Sequence, residues 1–85
     1  MRLLLVAHAS PRWGFGHLNR CRVIAEAARR KGWQSSMLVR GPMEDVRERL
    51  SGHDGAIELM PEDVPRAEEL ARLECALAAA DRAII

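Results

Sequence analysis

The chain has no tyrosine, one phenylalanine and two tryptophans among its 85 residues. A nucleic-acid surface is usually basic overall and carries aromatics that stack on bases, so this thin supply, with a formal net charge of +1, argues against one. Cysteine is scarce too. Cys21 and Cys75 lie far apart, and neither belongs to a C-x-x-C pair, which removes a disulfide framework and the usual start of a zinc site. The N-terminal apolar run, Leu3 to Ala7, is five residues long. That is short of a secretory segment and far short of the about 20 residues that span a membrane. No signal and no membrane span are expected, and a reducing cytoplasm fits best.

With 48% hydrophobic and 29% charged residues, the composition is that of a folding globular unit. At this length a domain buries only about 60% of the surface its unfolded chain exposes. One modest core is possible; a two-lobed enzyme with its own cleft is not.

The near-zero net charge hides an asymmetry. Residues 1–40 carry eight cationic side chains and one acid, Glu26, a balance of +7, whereas residues 41–85 carry five arginines and eleven acids, a balance of −6. A basic first half can attract a small phosphorylated ligand. The same cations could equally solvate a helix face.

Hydrophobic periodicity orders the chain. Arg2 to His8 is a continuous apolar run that suits a strand buried on both faces, and Ala9 to Gly16 (ASPRWGFG) is a loop. From His17 to Lys31 apolar residues recur at three- and four-residue spacing, giving an amphipathic helix with a basic last turn and Gly32 as its C-terminal cap. Strands are expected at Trp33 to Arg40, Ala56 to Met60 and from Arg82 onward, with helices at Met43 to Leu50 and Arg66 to Ala80. The order β-α-β-α-β-α-β predicts a Rossmann-like open parallel sheet with flanking helices, half of a doubly wound α/β fold. In such sheets ligands bind beyond the carboxyl ends of the strands, where strand order reverses. The closing apolar residues Ile84 and Ile85 fall inside a strand, so the chain reads as the front of something longer or as one partner of a split protein.

The chemistry concentrates in the loop after the first strand. Gly14 and Gly16 allow close backbone approach, and the helix that follows offers unpaired N–H groups and a partial positive charge, a setting for phosphate. The dinucleotide fingerprint fails because Asn19 stands where its third glycine belongs and Arg40 stands where an acid would meet a ribose. The phosphate-binding P-loop fails for want of Gly-Lys-Ser/Thr. His17 sits where loop becomes helix, a position that disfavours the imidazolium and leaves a proton acceptor. It can serve as a general base, or it can cap the loop. Arg20 can reach phosphate or hold the loop, and Cys21 falls on the apolar stripe.

Taken together, Ala9-Ser10, Gly14-x-Gly16-His17-x-x-Arg20-Cys21, Ile24-Ala25 and Gly32-Trp33 resemble the N-terminus of the PseG-like nucleotide-sugar hydrolases of pseudaminic acid synthesis. These are similar to spore-coat polysaccharide glycosyltransferases and, more distantly, to MurG-like enzymes. The match covers residues 3–40; the rest agrees in pattern only. The resemblance implies a GT-B fold, two Rossmann-like domains facing a cleft, of which residues 1–85 supply the N-terminal part and lack the C-terminal nucleotide-binding domain that holds the UDP-sugar. It implies that His17 activates water, or an acceptor, at the anomeric carbon with release of UDP and without a metal or other cofactor. Gly14, Phe15 and Gly16 would shape the cleft wall, and Ser10, Trp13, Asn19 and Arg20 would contact substrate. Pro11-Arg12-Trp13 departs from the family's smaller, less basic stretch, which leaves the sugar open. The partners implied are a UDP-sugar and the missing domain or a separate partner chain. An alternative reading is a non-catalytic subunit that supplies the loop to a nucleotide-binding chain in a split glycosyltransferase.

Other polar residues have plain readings. His8, at the end of the first strand, can touch ligand or bond to loop backbone. His53 lies in a turn and is expected in solvent. Trp13 can stack on a sugar face, whereas Trp33 packs at the strand start. Glu62, Asp63, Glu68 and Glu69 suit the start of a helix through its macrodipole, and no metal is assigned.

Overall fold

A computed structural model describes residues 1–10, 14–53 and 55–85. Its elements are β1 (Arg2–His8), α1 (Gly16–Arg30), β2 (Gln34–Arg40), α2 (Met43–Arg49), β3 (Ala56–Met60), α3 (Arg66–Ala78) and β4 (Arg82–Ile84). All four strands are parallel and lie in the order β3-β2-β1-β4. The expected Rossmann-like open sheet with flanking helices is what forms. Among the described residues, no helix is long and apolar enough to cross a membrane.

The side-chain alternation of β1 explains its continuous apolar run. Leu3, Leu5 and Ala7 face a cluster built with Leu18, Cys21, Ala25 and Ala28 of α1 and with Val46 of α2. Leu4 and Val6 face the other way, into a smaller cluster with Leu38, Met60 and Val64, against which Leu73 and Ala76 of α3 pack. The helices therefore cover both faces, α1 and α2 on one and α3 on the other. Each fully buried leucine contributes roughly 1.5–3 kcal/mol relative to exposure, and Leu4 and Leu5 of β1 are almost completely withdrawn from water. β2 repeats the device: Met37 and Val39 join the first cluster, Leu38 the second.

α2 follows the same local rules on a smaller scale. Its first turn carries Glu44 and Asp45, and its last turn Arg47 and Arg49, each sign opposed to the helix dipole. Val46 and Leu50 are buried, as their spacing predicts. α3 has no fully buried residue and rests on the sheet through partly buried Leu73 and Ala76.

Strand order reverses between β1 and β4. The chain steps outward from β1 to β2 to β3, then returns through α3 to pair β4 with the opposite side of β1. The carboxyl ends of β1, β2 and β3 are stitched together just past the last residues of β1 and β2. Ala9 N–H donates to the Arg40 carbonyl at 2.9 Å, and Gly41 N–H donates to the Met60 carbonyl at 3.0 Å. That edge is where a sheet of this topology binds ligands.

Candidate functional site

The loop from β1 to α1 leaves the sheet at this edge. Ser10 and Gly14 form an isolated antiparallel bridge, with Gly14 N–H donating to the Ser10 carbonyl. The bend needs Gly14, whose φ of +82° lies in the region that side chains disfavour. Pro11, Arg12 and Trp13 lie outside the described residues, so the role expected of Trp13 falls there as well.

Gly16 opens α1, and Phe15, which precedes it, makes no side-chain cap. No acid occupies the first turn. A Cβ on Gly16 would meet Arg20 Nη1 at 3.3 Å, so the guanidinium folds back alongside the helix's first residue. A cation therefore stands with the helix dipole at this end, and both favour an anion. His17 is half-buried in this first turn, and Leu18, the next residue, is fully buried in the core and pins the turn to the sheet.

Phe15 is an anchor for the start of α1. Its ring packs against the larger core cluster, and the Arg49 guanidinium sits over it, 3.9 Å from the centroid. Arg22 Nη1 donates to the Arg49 carbonyl at 2.7 Å, so α1 and the end of α2 are tied together beside the loop. Asn19 is exposed on a flank of α1 that lines a different groove. Cys21 is core, and burial raises its thiol pKa despite the opposing charge of Arg20.

Three further side chains meet at the strand ends. His8, the last residue of β1, places Nε2 3.3 Å from Glu69 Oε2, and Arg40, the last residue of β2, places Nη1 3.2 Å from Glu69 Oε1. The Arg40 contact is a partly buried hydrogen bond. Glu69 belongs to the first turn of α3, where its backbone N–H donates to the Pro65 carbonyl. Nothing local in the sequence joins His8, Arg40 and Glu69. His8 meets a carboxylate rather than loop backbone, because the α3 crossover brings Glu69 back over the end of β1. The one available signal was positional: polar residues ending both inner strands of a parallel sheet share one edge.

Two grooves lie away from this edge. One, of about 960 Å³, runs between the outer flank of α1 and the starts of β2 and β3, lined by Asn19, Arg22, Arg29, Trp33 and His53 among others. The other, of about 600 Å³, lies between α3 and the sheet and includes Leu38, Ile57, Cys75 and Ala76. His53 is not in solvent as its turn suggested. The turn bonds His53 N–H to the Leu50 carbonyl and tucks the ring beside Gly55, and among the described residues its buried Nε2 has no hydrogen-bond partner. Among the described residues, no three His, Cys, Asp or Glu side chains gather as a metal-binding group.

The fold and the strand-end edge define a Rossmann-like α/β domain with polar side chains gathered at its topological switch. Compared with protein families, with curated proteins and with solved structures, the chain matches none.

Proposed function

We propose that this chain is the N-terminal part of a GT-B-type protein, a UDP-sugar hydrolase or a related glycosyltransferase, with His17 as its general base. The observation that carries the reading is the position of His17: half-buried in the first turn of α1, directly after a glycine bend, at the carboxyl edge of a parallel sheet. A neutral imidazole there can accept a proton from water or from an acceptor hydroxyl. The oxygen bonds to the anomeric carbon, the bond from that carbon to the diphosphate oxygen breaks, and UDP leaves with the electron pair. Arg20 and the N-terminus of α1 face the developing negative charge. The nucleotide itself falls to a second, C-terminal domain or partner chain.

The test is His17→Asn in the protein that carries both halves. A general base contributes about 10²–10⁴-fold, so UDP release falls by that factor while UDP affinity stays within about twofold. Equal losses in turnover and affinity would assign His17 to binding or structure and overturn the reading.

A further inference from the structure

The cluster of His8, Arg40 and Glu69 is larger than an α3 anchor requires. A carboxylate that only tied the first turn of α3 to the sheet would need one cation, and Arg40 supplies it at 3.2 Å. The second carboxylate oxygen is instead turned to an imidazole on the neighbouring strand, at 3.3 Å. The exposures differ in an informative way. The Glu69 side chain is only 17% exposed, whereas His8 is 59% exposed. The acid is withdrawn and held, while the ring reaches outward.

We propose that His8 is a second proton acceptor of the strand-end edge, presented by Glu69 with Arg40 as the positioning residue, and that it takes a hydroxyl-bearing ligand. Arg40 hydrogen-bonds the other carboxylate oxygen and so fixes its orientation. A carboxylate oxygen beside Nε2 favours the neutral tautomer with its proton on Nε2. Nδ1 then carries the lone pair, and among the described residues nothing bonds to it. A hydroxyl that donates to Nδ1 would pass its proton there, while Glu69 stabilises the Nε2–H of the resulting imidazolium. His8 ends β1, the strand beside which strand order reverses, so the ring stands at the same carboxyl edge of the sheet as the first turn of α1, which carries His17. The choice of a sugar hydroxyl as ligand rests on the function proposed above; the tautomer does not.

The experiment is imidazole NMR near neutral pH on the ¹⁵N-labelled protein that carries both halves, with UDP-N-acetylglucosamine as the probe. The expected result without ligand is a His8 ring protonated on Nε2 and bare on Nδ1. Glu69→Ala should abolish that preference, and Glu69→Gln, whose amide oxygen still accepts from Nε2–H, should restore it. Unchanged amide signals from Leu5 and Leu38 would establish that both variants fold. A role confined to anchoring α3 would move stability in Glu69→Ala but not the ring's tautomer. A ring protonated on Nδ1, or a tautomer indifferent to Glu69→Ala, overturns the proposal. With the probe added, displacement of the His8 Nδ1 signal supports it. Shifts at Gly14 to His17 that leave Nδ1 unmoved overturn the ligand role of His8 and spare the proposed function. No shift anywhere, with the expected tautomer in place, overturns the UDP-sugar reading and upholds the presented Nδ1.

Discussion

A methyl group on Gly41 would collide with the carbonyl oxygen of Ala9. The two residues follow β2 and β1 respectively, at the point where the Ala9 N–H and the Gly41 N–H stitch neighbouring strand ends together. Glycine is required there by closeness, since the obstacle is backbone and has no rotamer through which to yield. Gly41→Ala should therefore destabilise the fold by about 1–3 kcal/mol, the usual range for overpacking. Urea unfolding followed by circular dichroism measures it, and an unchanged midpoint would contradict the strand-end geometry.

The two-faced burial of the sheet predicts a pair of large effects and a small one. Leu5→Ala opens the α1 face and Leu38→Ala the α3 face, and each should cost about 2–5 kcal/mol. Leu70, on the exposed side of α3, should change stability by less than about 0.5 kcal/mol when replaced by alanine. Equal, small costs at Leu38 and Leu70 would mean that α3 does not cover the sheet.

The two cysteines should separate by reactivity. Cys75 is exposed and Cys21 is buried, with its thiol pKa raised mainly by that burial. Iodoacetamide at neutral pH should label Cys75 in the folded chain and reach Cys21 only as denaturant unfolds it. The same shift has a sign in stability. Because the folded state holds the Cys21 proton more tightly, its contribution is complete below the unfolded thiol value of about 8.5 and declines as pH rises through the folded value. A Cys21→Ala chain should lose that alkaline dependence. Unfolding curves collected from neutral to alkaline pH test it, and an alkaline limb that survives the substitution would contradict it.

Much of the fold was legible because its signals are local. The apolar run of β1 and the three- and four-residue spacing of α1 each lie within a single element, and Gly41-Pro42 directly follows β2. Helix ends moved slightly: α1 begins at Gly16 rather than His17, and α3 ends at Ala78 rather than Ala80. The loop that carries Ser10 and Gly14, and His17 in the helix turn after it, were readable for the same reason. Glu69 was not, because its partners are 29 residues away at Arg40 and farther still at His8, and only the return of α3 across the sheet joins them. Read locally, Glu69 is a favourable charge at a helix start, which it also is. His53 shows the opposite failure: the turn was legible, but not that the ring would be folded against Gly55.

The central claim is that ligand chemistry belongs to the carboxyl edge of the strands, at His17. The most direct measurement is the map of amide and imidazole shifts when UDP-N-acetylglucosamine is titrated onto the protein that carries both halves. The account predicts that Gly14, Gly16 and the His17 ring move together, and that His17→Asn leaves the Gly14 and Gly16 response in place. Shifts gathered instead at Arg29, Trp33 and His53, in the groove beside the strand starts, would contradict it.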